Sequence, residues 1–444
     1  MFKLSPCLGA PLVAALLAFA SSAAMAADLG PVSSDPVYVR GWEFRTDVVQ
    51  SNVDHYNKDL NGHVDYQTVT GDYPSLMESQ LIAGGNLDLI YGNPSSAFRY
   101  NKGGWVLTAD QLPGGDKALA DMYPNIRDAW SDNGKLLGLS YFVTTRGLVQ
   151  VNLKKYGGVG MKDADFPATW SALYDQLYVL RDKGIKVPYL PHWYNEWSGI
   201  PWAFTFEVLN RGGQVADAKT HAPMLTVAGP GGDTLRDWKR VYNDGLVPKD
   251  VITWNQAAYL QAWGSGQYVF SPQAAYDLKT FNDPATSQIA GNVTFLPYKG
   301  QSWGLLDSAL YLTVKRDRSP DALENVKRFA SWYGYRDQNG QTAVADRWLD
   351  EAMLFSAYKS VMESDHAKQA IQKSLSRPND YKALIDLYAA TPYPTGSWNV
   401  VWSDEFNSWL KDQLQLFLSE NRDVGATIDA INAKIAELNK ENGL

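Results

Sequence analysis

The sequence is poorest in the residues that carry covalent and metal chemistry. One cysteine, Cys7, and five histidines occur in 444 residues. Cys7 lies among the first residues, ahead of an apolar run, so the rest of the chain has no disulfide, no thiol catalyst and no thiolate metal ligand. His55, His63, His192, His221 and His366 show no i, i+4 pairing and no finger spacing, and no metal site is expected. No phosphate loop, G-x-G-x-x-G or G-x-S-x-G pattern occurs. Carboxylates are plentiful, so a glycosidase pair is not excluded by counting. Positive charge is also in deficit. Forty Lys and Arg face 48 Asp and Glu, for a net charge of -8 and a pI near 5.2, which argues against nucleic acid or an anionic membrane surface as partner. The apolar run Leu8–Ala20 spans 13 residues and is broken by Pro11, too short for a membrane span of about 20.

That run follows Lys3 and precedes Ser21-Ser22-Ala23-Ala24-Met25-Ala26, the arrangement of a secretory signal cut after Ala26. Cys7 stands too early to be a lipoprotein anchor, so the expectation is a periplasmic protein without lipid. At 444 residues the chain exceeds one ordinary core and predicts two lobes. Aromatics are abundant, with 16 Trp and 25 Tyr, and tryptophan in quantity is what a sugar site consumes.

The stretch from Asp72 to Trp105 organises the reading. Pro74 suits a first helical turn, Leu76, Met77 and Leu81 fall on one helical face, and Gly84-Gly85 ends the helix. A short strand, Leu87–Tyr91, stops at Gly92-Asn93-Pro94, after which Ser95 or Ser96 caps the next helix. Asp88, Tyr91 and Asn93 are thereby expected toward the carboxyl end of a strand, where open α/β sheets bind small ligands. Strands are also expected over Val37–Phe44 and His63–Val69, with a helix over Val48–Asn57 between them.

The order "AGGNLDLI", apolar helix, "NKGGWVLTAD" resembles the amino-terminal lobe of bacterial extracellular solute-binding proteins, in the sugar-binding group that includes maltose-binding protein. Other segments carry the same resemblance. "GKLLGLSYFVTTRGLVQVN" looks like the crossing into a second lobe, with Ser140 where proline is commoner. Pro167-Ala168-Thr169-Trp170 looks like the family's helix start, and "QSWGLLDSALYLTV" like the crossing back. In "WGSGQYVFSPQAAYD", Val269-Phe270 replaces the pair Ala-Met. The resemblance implies an α/β fold of two lobes with an interdomain ligand cleft and hinge crossovers. It divides the chain into a signal peptide (1–26), lobe 1 (27–145 and the return 304–350) and lobe 2 (146–303), the helical part 351–444 completing lobe 2.

The candidate ligand-binding residues follow from both readings. The first strand would deliver Trp42 and Glu43 into the cleft, although Trp42 could equally be core. Asp88 and Asn93 come from the strand end, and Tyr141 from the hinge. Trp193 and Trp197, four apart with Asn195 and Glu196 between them, form an aromatic cluster suited to stacking on pyranose faces; Trp254 lies in a loop nearby. Trp303 and Asp307 start the return crossing, where Asp307 is either a ligand acceptor or a hinge group. Trp348 and Trp398 complete the set. The expected function is the substrate-binding protein of an ABC importer: a monomer that takes a mono- or oligosaccharide or glycoside, uses no cofactor, and presents it to a membrane permease. The alternatives are a non-sugar solute, for which Arg45 and Arg146 are the residues to inspect if it is an anion, and a secreted carbohydrate-active enzyme.

Overall fold

The computed structural model describes residues 33–337 and 339–444. The expected signal segment, with Cys7, lies outside the described residues. The chain opens with β1 (Val37–Gly41), shorter than the expected strand because residues 42–45 leave the sheet and Arg45 adopts a left-handed φ of 46° before α1 (Thr46–Asp59). Val48, Val49, Val53 and Tyr56 give α1 one buried face, and β2 (Val64–Thr68) returns parallel to β1. The next helix, α2 (Tyr73–Ile82), has Pro74 in its first turn and buries Tyr73 and Met77. Leu76 is 42% exposed, a correction to its place on the buried face: one residue turns a helix by about 100°, which carries it away from Met77.

β3 (Leu89–Gly92) runs parallel to β1. It is followed by α3 (Pro94–Lys102), capped by Asn93 rather than by a serine: Asn93 Oδ1 accepts from Ser96 N at 2.8 Å and Ser96 Oγ accepts from Asn93 N at 3.0 Å. β4 (Val106–Leu107) and β5 (Leu139–Arg146) complete this part of the first lobe. β6 (Leu148–Asn152) already belongs to a second sheet, where it lies between β7 (Phe270–Gln273) and β8 (Val293–Phe295). β9 (Leu305–Val314) returns to the first sheet, whose order is β2-β1-β3-β9-β4, with β5 also paired to β9.

The lobes are joined where β5 becomes β6 and where the chain enters β9. Both points are glycines with positive φ, Gly147 at 79° and Gly304 at 86°. They are also too close to their surroundings for any side chain. A Cβ on Gly304 would stand 1.9 Å from the Arg146 carbonyl oxygen, and one on Gly147 2.6 Å from the Phe206 ring. The crossings are therefore held side by side by backbone contact, with Arg146 opposite Leu305 in the ladder.

Around the second sheet pack α4 (Trp170–Asp182), α5 (Ile200–Asn210) and α6 (Pro230–Asn243), then α7 (Asp277–Asn282). Thr169 caps α4 as expected, its hydroxyl oxygen accepting from Ala172 N at 3.2 Å. Back on the first lobe, α8 (Pro320–Gly334) lies against β9 and β5, and α9 (Ala343–Ala352) against α1 and β5. The chain does not leave the first lobe at 351. Phe355 and Val143 exchange backbone hydrogen bonds and Tyr358 bridges to Met122; further on, Ser374 and Ser376 bond to α7 and β8 of the second lobe, and the last two helices, α10 (Ser403–Ser419) and α11 (Val424–Glu441), pack on α5 and α6.

The crossover packing yields a direct test. Gly304→Ala should lower the unfolding free energy by more than about 2 kcal/mol, because backbone strain at positive φ adds to a backbone clash. Gly300→Ala is the control, with φ of 89° and nothing within 4 Å of the new Cβ; it should cost only about 1–2 kcal/mol. Urea unfolding measures both, and equal losses would mean that the crossings are not clamped.

Candidate functional site

The carboxyl ends of β1 and β3 point toward the second lobe and deliver an aromatic wall. Trp42 stacks on Tyr91 with centroids 4.1 Å apart and planes 10° from parallel. Its indole N–H donates to Tyr141 OH at 3.2 Å. Phe44 stands 5.3 Å from Trp42, and Glu43 between them is exposed. Opposite, the second lobe presents Trp197, which is 58% exposed and meets Trp202 edge-on at 5.1 Å, while Trp202 lies 4.6 Å from Trp398. The loop bearing Trp197 is fastened to that bearing Trp254: Asn195 N donates to Trp254 O at 2.7 Å, and the Glu196 carboxylate accepts from Gln256 N at 2.9 Å. Trp254 itself is half-buried.

Between the walls, at the crossings, sits Arg146. Its Nε donates to Asp307 Oδ2 at 3.3 Å and its Nη1 to Tyr276 OH at 2.6 Å. Its guanidinium also lies 5.1 Å from the Tyr276 ring centre and 6.0 Å from that of Trp202. Burial alone would pull Arg146 down; Tyr276 and Asp307 outweigh it and hold the guanidinium charged. Burial raises Asp307 against the pull of Arg146, and pushes Tyr276 up to about 12 and Asp277 up to about 7. Phe44 and Tyr276, one from each lobe, approach to 6.4 Å.

The other guanidiniums near the cleft are also matched, Arg45 by Asp47 and Arg99 by Glu78, at 2.9 and 3.0 Å. Carboxylates are freer. Asp404, in the first turn of α10, is reached by solvent, yet the protein crowded around it pushes its carboxyl up; Arg99 of the first lobe opposes that shift and Asp72 adds to it. The site thus offers flat apolar faces, hydrogen-bonding carboxylates and no unpaired cation among the groups just named.

Six of the expected ligand residues are placed elsewhere. Asp88 stands just before β3, at the end opposite Asn93, where it is 1% exposed and bound by Arg316 and Arg318 as well as Tyr38 N. Its carboxylate joins strands on the far side of the sheet from the cleft. Trp193 is fully buried, 4.8 Å from Trp238, so that only Trp197 of that pair reaches the surface. Trp303 packs edge-on against Trp170 at 5.1 Å and donates to Pro297 O. Trp348 is core behind Phe142 and Tyr141, at 5.3 and 5.6 Å. Tyr141 is itself buried between Trp348 and Tyr311, supporting Trp42 from behind. Asn93 sits at the cleft, but its side-chain oxygen is occupied as the α3 cap. Trp42 and Glu43 stand on the first lobe near the crossings where Asp307 lies, and Trp197 and Trp254 on adjoining loops of the second; Trp398, 7% exposed, backs Trp202 as core, a correction to its expected place in the cleft. Tyr91 stands at the strand end as expected, under Trp42; Trp202 and Tyr276 come near them unexpectedly, and Pro201 was a signal for Trp202, since it starts α5 and fixes the next residue in the first turn.

The family model for "Bacterial extracellular solute-binding protein" matches residues 45–334, well over half of the chain. The chain belongs to that family. Comparison with curated proteins gives no match. Among solved structures, this solute-binding protein is similar to the sugar-binding protein MalE of Xanthomonas citri (TM-score 0.73, 15% identity, covering 92% of this chain and 98% of that one). Maltose-bound MalE3 of T. maritima gives a TM-score of 0.71 at 15% identity, over 91% and 99% of the two chains. A solute-binding protein of Agrobacterium radiobacter in complex with ribitol gives 0.71 at 14%, over 92% and 100%. Likeness at this identity establishes the two-lobe fold with its interlobe cleft.

The two tryptophans four residues apart separate core from site experimentally. Trp193→Ala should cost about 3–5 kcal/mol in urea unfolding, whereas Trp197→Ala should cost less than about 1 kcal/mol. Similar losses would overturn the assignment of Trp197 to the cleft surface.

Proposed function

We propose that the protein captures a neutral sugar, sugar glycoside or polyol between its lobes and hands it, chemically unchanged, to the permease of an ABC importer outside the cytoplasmic membrane. The observation that carries this reading is the pairing of two aromatic walls with arginines that each already face a carboxylate. Trp42 on Tyr91, and the exposed Trp197 braced edge-on by buried Trp202, offer planes to ring C–H faces. Asp307, Glu43 and Asp404 offer acceptors for hydroxyls. An anionic solute would find Arg146 already engaged by Asp307 and Tyr276, which disfavours the acidic alternative. The ligands named for the maltose- and ribitol-bound relatives support the same class.

The magnitudes suffice. Micromolar affinity needs about -8.2 kcal/mol. A few hydrogen bonds to charged groups at about 1.5–3 kcal/mol each, with aromatic contacts at about 0.5–1.5 kcal/mol each, supply that and offset the cost of ordering. We read the chain as a monomer that works in the periplasm, with lobes meeting near residues 146 and 304, and as a receptor without turnover.

A thermal-shift panel of neutral sugars, polyols and uronic acids tests the proposal. A neutral member at 100 times its dissociation constant should stabilise the protein by about 2.7 kcal/mol, be recovered unaltered by chromatography, and bind Trp197→Ala at least tenfold more weakly. Preference for an acid, or appearance of a product, would refute the reading.

A further inference from the structure

We propose that Arg45 and Lys279, one from each lobe, form a clasp on the carboxyl end of α9 that holds the lobes in the arrangement described above and slows release of the bound solute. The argument begins with the unpaired carbonyls that every helix end leaves. α9 stops at Met353, which takes a left-handed φ of 53°. Met353 N then bonds to Leu349 O at 2.8 Å and Leu354 N to Trp348 O at 3.3 Å. The next two carbonyls, of Asp350 and Glu351, receive neither of these bonds.

A cation from the second lobe takes them both. Lys279 Nζ, on α7, donates to Asp350 O at 2.6 Å and to Glu351 O at 3.1 Å. Arg45 Nη1, from the first lobe, reaches the same Glu351 oxygen at 3.5 Å. α9 packs on α1 and β5 whereas α7 packs beside β8, so the lysine contact bridges the lobes. Positive charge at a helix carboxyl end is favoured by the helix dipole. The clasp also touches the cleft at both roots. Arg45 follows the loop of Trp42, Glu43 and Phe44 and is held in left-handed geometry, costly for a non-glycine residue. Lys279 stands three residues after Tyr276, which meets Phe44 across the cleft. A displacement of either loop on solute binding therefore bears directly on the clasp.

The consequence for release rests on the proposed binding between lobes, but the clasp is testable without any solute. Spin labels on Lys117→Cys and Lys183→Cys, both exposed positions on opposite lobes, report the interlobe distance in a Cys7→Ser background of the full chain. Adding Lys279→Ala should reduce the population at the parent distance relative to other distances by roughly two- to fivefold, the range a cation at a helix carboxyl end gives. Lys279→Arg, which keeps a donor, should restore the parent distribution. An unchanged distribution in a folded Lys279→Ala protein overturns the clasp. With a neutral sugar bound, its dissociation rate should rise by the same factor. A shifted distribution in a protein that binds no sugar would sustain the clasp and defeat the proposed ligand class instead.

Discussion

Everything in this molecule depends on how two strands pass between two lobes without a gap. At the crossings Arg146 ties β5 to β9 through Asp307 and reaches into the second lobe through Tyr276. The ion pair is nearly buried, and such a pair adds little net stability because both charges lose water. What it fixes is geometry. The neighbouring glycines leave no room for a side chain, so the backbone itself sets how closely the strands approach. The Arg146 guanidinium, placed there, lies against both Tyr276 and Trp202. The position of the second aromatic wall is thereby referred to the hinge.

The tryptophans divide by what lies behind them. Trp170, Trp193, Trp238 and Trp303 fill the second lobe, and Trp348 the first, each fully enclosed by neighbouring rings or aliphatics. Trp42 is different because Tyr141 holds its N–H from behind while its face is shared with Tyr91. Trp197 is different again, being largely open to solvent with one edge on Trp202. Large rigid planes with few rotatable bonds lose little entropy when a ligand orders them, which suits them to a site that must both open and grip.

Much of this was legible in the sequence where a residue's role is set by its own neighbours in the chain. The strand ends that deliver Trp42 and Asn93 and the Thr169 cap are local patterns. Asp88 was not legible, because its partners Arg316 and Arg318 lie 228 and 230 residues further on and no local pattern announces them. Trp193 and Trp197 were read alike because spacing sorts faces only in a regular element, and these two sit in a loop that turns one inward and the other out. Tyr276 was invisible for a similar reason: its role comes from Arg146, 130 residues away.

The central claim is that solute is gripped between lobes that move about the clamped crossings. A ligand that touches both walls only when they approach must shift the lobes toward that approach. Small-angle X-ray scattering with and without a saturating neutral sugar measures this directly. The radius of gyration should fall on binding, with a parallel change in tryptophan fluorescence from Trp42 and Trp197. Tight binding with no change in the radius of gyration would contradict the account, since it would place the ligand on one preformed face rather than between two.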